Sequence, residues 1–350
     1  MGFLFPWPYN RQRDYRHLAG ERGKRMRIGI LGCGAIAKKM AKTIVSMEKE
    51  DVHLAAFASR SLDKALAYKE EFQAEKAYGS YEEMARDDSI DLIYIATPHS
   101  EHFGNIRLCL FHHRNVLCEK PFTVNEKQAG EAIELARKYD CLLAEAMWTR
   151  YMPMQRKIQE ILDSGKIGKI RFLTADLGYA IHDKKRLVDP LLAGGTLLDV
   201  GIYPLDFALM HMPSKIIGIQ AFCNKTTTGV DMSEGILLTH EDTSFSSLTA
   251  TMECATPRMA TISGTEGYLL VENVNNPERI EVRDKNHNHI EVIEKEKDLG
   301  GYEYEIRECQ KALLEKKTEC PSMPWKDTLS RMALLDKIRA LLGVHYSLIN

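Results

Sequence analysis

The sequence predicts an α/β chain in two units: an N-terminal doubly wound parallel sheet, then an α+β unit with a large, mostly antiparallel open sheet. Three observations carry this reading. The 350 residues exceed what one core usually supports, roughly 250–300. Up to about residue 148, short wholly apolar runs alternate with segments of helical period, as in strands covered on both faces by crossover helices. Beyond that point the runs become β-branched, aromatic and often alternating, with turn residues between them, which is the antiparallel pattern.

The first unit opens at Met26. Ile28-Gly29-Ile30-Leu31 reads as a strand ending at Gly32-Cys33-Gly34-Ala35-Ile36-Ala37, and Ile36, Met40 and Ile44 follow on one helical face. Residues 52–58 predict a second strand and 61–72 a second helix. Ser80-x-x-Glu83 is a capping box opening a short helix. A strand at 92–96 stops at Thr97-Pro98, 101–113 is helical, and 115–119 is the next strand. Thr123-x-x-Glu126 predicts the cap of a helix running to Tyr139, and 141–146 is one more apolar strand.

In the second unit, strands are expected at 169–179, 215–223, 245–254, 267–273 and 279–284, packed on one face by helices at 153–164 and 204–211. Leu329, Met332, Leu335, Ile338 and Leu342 form a helical stripe over 325–342 that closes the fold. The expected division is 26–148 for cofactor and 149–350 for substrate and dimerisation. Residues 1–25, proline-broken and then basic without amphipathic period, read as a dispensable extension or, alternatively, a targeting arm.

Composition excludes other classes. The 47 basic and 49 acidic residues give a net charge of −2, against a protein that coats nucleic acid or anionic lipid. No run is read as approaching the ~18 apolar residues of a membrane helix. Eight scattered cysteines lack paired ligand or disulfide spacing, so reduced thiols, a cytoplasmic setting and no structural metal are expected. His99-x-x-His102 could ligate a metal, but its context favours cofactor contact.

The chemistry starts at Gly32-x-Gly34-x-x-Ala37, between strand and helix. The first glycine permits a tight turn, the second a close approach of backbone to a pyrophosphate, and the small third residue helix–strand packing. Gly32, Cys33, Gly34, Ala35 and Ile36 would then bring the phosphates to the helix start. An NAD site usually places a carboxylate about 20 residues on, for the ribose 2′-hydroxyl. Here the second strand ends in Ala58-Ser59-Arg60-Ser61, so Ser59, Arg60 and Lys64 are expected to hold a 2′-phosphate, which selects NADP over NAD.

Glu119-Lys120-Pro121 ends a parallel strand at the ligand-binding edge of such sheets. Asp199 and Tyr203 are four apart in Gly194-Gly195-Thr196-Leu197-Leu198-Asp199-Val200-Gly201-Ile202-Tyr203, so a helix would face both to one side. An ammonium, a carboxylate and a phenol make a proton relay.

GCGAIA (32–37), ATPHSEH (96–102), CEKP (118–121), EAMWTRY (145–151) and GGTLLDVGIYPLDFA (194–208) together resemble the glucose–fructose oxidoreductase/inositol dehydrogenase family, from Met26 to the end. Most members carry histidine four residues after the aspartate. Tyr203 and the MWTRY block resemble instead its trans-1,2-dihydrobenzene-1,2-diol dehydrogenase/D-xylose 1-dehydrogenase (NADP) branch. The resemblance implies Lys120 and Tyr203 as the catalytic pair, with Lys120 lowering the tyrosine pKa. It implies Asp199 as the residue that positions lysine or substrate, and Thr97, Pro98, His99 and His102 beside the nicotinamide ribose. It also implies a cis Lys120–Pro121 bond, and a left-handed cap where glycine is usual and His113 stands here.

Trp148, Arg150 and Tyr179 are read as walls of the substrate pocket or as packing at the domain junction. The expected function is NADP-dependent hydride transfer from a CH–OH group of a cyclic polyol or aldopyranose, in a homodimer paired through the C-terminal sheet. The rivals are an inositol or other sugar dehydrogenase, and a non-catalytic NADP-binding regulator.

Overall fold

The computed structural model describes residues 25–346, so the expectation for residues 1–24 lies outside the described residues. A six-stranded parallel sheet has the order β3-β2-β1-β4-β5-β6. Its strands are β1 (Met26–Leu31), β2 (Val52–Ala58), β3 (Lys76–Tyr78), β4 (Leu92–Ile95), β5 (Asn115–Glu119) and β6 (Leu143–Ala146). Between them run α1 (Ala35–Ser46), α2 (Leu62–Phe72), α3 (Tyr81–Ala85), α4 (His102–Phe111) and α5 (Glu126–Tyr139). β4, β5 and β6 are buried at every residue, which is why they read as unbroken apolar runs.

The predicted cap at Ser80 is present: its hydroxyl accepts from the Glu83 N–H at 3.2 Å. The predicted Thr123 cap is not. Asn125 caps α5, accepting from Gln128 N–H at 2.8 Å, while the Gln128 side chain accepts from Val124 N–H at 3.2 Å. Asn-x-x-Gln is itself a capping pattern, and asparagine outranks threonine as a cap. His113 holds the left-handed conformation (φ 56°) after α4, and the Lys120–Pro121 bond is cis.

The chain continues through α6 (Pro153–Asp163), β7 (Ile170–Gly178), α7 (Lys185–Val188) and α8 (Ile202–His211). Then come β8 (Ile216–Lys225), β9 (Asp231–His240), β10 (Phe245–Thr251), β11 (Met259–Gly264), β12 (Gly267–Glu272), β13 (Arg279–Asp284) and β14 (His289–Glu294). They build an eight-stranded sheet in the order β14-β13-β12-β11-β7-β10-β9-β8, antiparallel except for the β7–β10 pair. β3, β9, β11 and β14 were not expected from sequence, nor was α9 (Glu303–Leu314). α8 packs on β7 and β10, and α10 (Trp325–Leu342) lies against both α5 and β8.

Contrary to the expectation of no such run, Pro190–His211 is long and apolar enough to cross a membrane by composition. Its most apolar window is 83% buried inside this protein, and the stretch contains Asp199 and Asp206, both buried.

Candidate active site

The turn after β1 is set by Gly32, whose φ is +111° and whose added Cβ would lie 2.7 Å from the Ala96 carbonyl oxygen. Gly34 precedes α1, and a Cβ there would meet nothing within 4 Å. That open approach to a helix start fits a dinucleotide pyrophosphate. Gly34, Ala35 and Ile36 line one end of a cavity of about 560 Å³. Thr97, Pro98, His99, His102, Glu119, Lys120, Trp148, Tyr179, Asp199 and Tyr203 line the same cavity.

Gly32, Cys33, Ser59, Arg60 and Lys64 lie outside its lining. They gather beyond the ends of β1 and β2. Burial pushes the Cys33 thiol up to about 11, with Lys64 and the Ser59 hydroxyl opposing it. Arg60 is exposed and sits beside the Tyr81 hydroxyl.

Local geometry places the central groups. Gly195 takes φ +115°, the Leu197 N–H donates to Asp231 Oδ2 at 2.5 Å, and the Thr196 hydroxyl donates to Met232 O at 2.6 Å. These contacts pin a five-residue π-turn, Leu197–Gly201, that runs straight into α8. Asp199 and Tyr203 thereby face the cavity together, as their spacing predicted. Lys120 Nζ donates to the Asp199 carbonyl at 2.7 Å and is 3.5 Å from its Oδ1. His99 Nε2 lies 3.6 Å from Asp199 Oδ1, and His99 Nδ1 is 3.1 Å from Ala193 O. Burial works against the Asp199 carboxylate, but the Lys120 and Arg186 charges outweigh it and hold its pKa below the ordinary range. Burial pushes His99 down to about 3, so its ring is neutral and its Nδ1–H donates to Ala193.

The expected lowering of the Tyr203 pKa is not what the structure gives. Burial first, then Tyr302, Glu119 and Asp199, hold the phenol well above its usual value. Lys120 Nζ stands 4.9 Å from the centre of the ring, and the Trp148 indole N–H donates to the phenol oxygen at 3.1 Å. Glu119, bonded to the Tyr94 hydroxyl, is lifted by burial to about 7.

Arg150 does not wall the pocket. Its Nε donates to both Asp206 oxygens at 2.9 Å and its Nη1 to Asp327 at 2.6 Å, so it is an interior ion-pair residue. Sequence reasoning also missed several lining residues. Arg186 pairs with Asp199 at 3.0 Å. Tyr302 stacks on Trp148 with centroids 4.6 Å apart. Asn275 accepts from the Tyr179 hydroxyl at 3.2 Å. The Asn275-Asn276-Pro277 turn was visible in the sequence, and nothing local marked the other two.

A glycine turn opening into a cavity that is also lined by Lys120, Asp199 and Tyr203 defines a dinucleotide-dependent oxidoreductase architecture. Residues 26–147 match an oxidoreductase family with an NAD-binding Rossmann fold, and residues 155–270 match the GFO/IDH/MocA C-terminal domain. The chain belongs to the GFO/IDH/MocA oxidoreductase family. It is 31% identical over 328 residues to trans-1,2-dihydrobenzene-1,2-diol dehydrogenase of Xenopus tropicalis, covering 91% of this chain and 98% of the relative. It is 33% identical over 364 residues to D-xylose 1-dehydrogenase (NADP(+)) of Hypocrea jecorina, covering 91% and 92%. A 3-ketoreductase from Actinomadura kijaniata, solved with NADP and TDP-benzene, superposes with a TM-score of 0.82 at 25% identity, covering 91% of this chain and 98% of that one.

Proposed function

We propose that this protein is an NADP-dependent dehydrogenase that moves hydride between nicotinamide C4 and a CH–OH carbon of a dihydrodiol or aldopyranose. The observation that carries this reading is the meeting of Lys120, Asp199 and Tyr203 in the cavity that the Gly34 turn opens onto. The cofactor supplies the hydride acceptor. Gly32, Cys33, Gly34, Ala35 and Ile36 receive the pyrophosphate, and Ser59, Arg60 and Lys64 the 2′-phosphate. Thr97, Pro98, His99, His102 and Glu119 flank the ribose and ring.

Tyr203 gives its phenol proton to the carbonyl oxygen in reduction, and in oxidation its phenolate takes the hydroxyl proton. Trp148 donates to the phenol oxygen and favours its anion, and the Lys120 charge beside the ring acts in the same sense. Asp199 holds Lys120, with Arg186 as its second cationic partner. Trp148, Tyr179 and Tyr302 offer an apolar face to a ring-shaped substrate.

The names of the relatives support the substrate class and cofactor. Within this reading the cofactor unit is 26–148 and the substrate unit 149–350. The enzyme works in the cytoplasm, its eight cysteines as thiols. It pairs as a homodimer through the second sheet, where Ile217 and Phe222 are 64% and 70% exposed.

The test is formation of NADPH from NADP⁺, or of NADH from NAD⁺, with D-xylose, D-glucose, myo-inositol or a trans-dihydrodiol. Turnover of xylose or the diol with NADP⁺ is expected. Turnover of inositol alone would move the substrate class, and tight NADP⁺ binding without turnover would make the protein a cofactor-binding regulator.

A further inference from the structure

Lys120 and Tyr203 come from different sheets' units, and one buried side chain joins the parts that carry them. Glu145, at the end of β6, accepts the Phe122 N–H at 3.1 Å, and Phe122 is two residues after Lys120. Its other oxygen accepts the Thr328 hydroxyl of α10 at 2.9 Å. Asp206 lies on α8 three residues after Tyr203, nearly one turn. Arg331 of α10 stands between the two carboxylates: its Nη1 is 2.8 Å from Asp206 Oδ1, and its Nη2 is ion-paired with Glu145. All three side chains are 0% exposed.

We propose that Arg331 is a positioning residue that bridges Glu145 to Asp206 and so fixes the separation of Lys120 from Tyr203. The chain of contacts runs Lys120–Pro121–Phe122, Glu145, Arg331, Asp206, α8, Tyr203. It closes a loop whose other side is the Lys120–Asp199 hydrogen bond. A buried ion pair is a poor stabiliser compared with apolar packing, but here the Asp206 side is a directional hydrogen bond and the Glu145 side is held by charge at close contact. Without Arg331, Glu145 and Asp206 would share the interior with one fewer cation, and repulsion would move them and the two catalytic carriers apart. Arg150 cannot take over, because its nitrogens go to Asp206 and Asp327 and it pairs with no Glu145 oxygen. Sites of this kind lose much of their rate to a small misplacement, by about a hundredfold for roughly 1 Å.

This inference rests on the reading of Lys120 and Tyr203 as the working pair, so its test has two arms. In the first, Arg331→Met and Arg331→Lys are assayed in the full chain with NADP⁺ and D-xylose or a trans-dihydrodiol. The Met variant is expected to lose roughly tenfold to a hundredfold in kcat with little change in KM for NADP⁺, and the Lys variant to recover part of the loss. In a Tyr203→Phe background the same change should add less than about twofold. Equal losses in both backgrounds would overturn the proposal.

The second arm needs no turnover: hydrogen exchange of the peptide containing Phe122, in the NADP⁺-loaded full chain. It should quicken in the Arg331 variants while the β1–α1 peptides stay unchanged. Unaltered exchange at Phe122 would overturn the bridge, whether or not any substrate is oxidised. If Arg331→Met does not fold, Arg331→Lys and Glu145→Gln carry both readouts.

Discussion

Lys120 addresses the face of the Tyr203 ring and not its hydroxyl: the ammonium is 4.9 Å from the ring centre, while its hydrogen bond goes to the Asp199 backbone. The phenol oxygen accepts from the Trp148 indole N–H. The three groups named from sequence thus meet, but the hydrogen-bond donor to the phenol comes from a residue read as a pocket wall or as packing at the domain junction.

Tyr203→Phe keeps the ring under Lys120 and removes only the hydroxyl. Its kcat should fall by roughly a hundredfold to ten-thousandfold, with KM for NADP⁺ nearly unchanged. Steady-state rates at saturating cofactor check this, and a variant as fast as wild type would remove Tyr203 from the chemistry.

Trp148→Phe deletes the donor that favours the phenolate. The phenol pKa, already raised by burial, should rise further, so the alkaline rise of kcat in the oxidation direction moves to higher pH. A pH–rate profile unchanged in position would mean that this hydrogen bond is lost during turnover.

Arg60→Ala should weaken NADP⁺ binding by roughly tenfold to a hundredfold, the worth of one charge-assisted contact, and leave NAD⁺ binding alone. Titrating both cofactors separates the outcomes, since equal weakening would place Arg60 away from the 2′-phosphate.

Burial lifts Glu119 to about 7 against an ordinary value of 4.5, so the folded protein keeps a proton that the unfolded chain releases between those values. The stabilisation is full below the unfolded value and is lost as pH rises through about 7. Glu119→Gln, which cannot ionise, should gain in Tm relative to wild type between about pH 5 and about pH 8. Parallel Tm profiles would show that Glu119 titrates normally.

Gly194→Ala tests the turn that carries Asp199. The added Cβ would lie 2.6 Å from Leu187 O and 2.8 Å from Arg186 O, backbone atoms that cannot rotate away. A loss of roughly 1–3 kcal/mol in stability is expected, with reduced kcat. Denaturant unfolding checks the first, and an unperturbed midpoint would show that the segment has slack.

Five strands of the first sheet were legible because they are buried on both faces and the helices between them repeat on one side, whereas the short edge strand β3 is only half-buried. β14 was not, since at the sheet edge none of its six residues is buried and its two alternating apolar side chains, Ile290 and Val292, stay exposed. Arg150 was misplaced for a geometric reason: it sits two residues after Trp148 in a 3₁₀ turn, about 240° around the axis, so the two side chains leave in different directions. Arg186 and Tyr302 reach the site across folds of the chain. Only three-dimensional proximity identifies them.

The β7–β10 pair runs parallel in an otherwise antiparallel sheet, and the π-turn with Asp199 and α8 with Tyr203 lie in the chain that joins the two strands. Parallel neighbours must be found across a long closure, which is slow. The segment that carries Asp199 and Tyr203 is tied at both ends by this one strand pair, in which Phe172 faces Phe245.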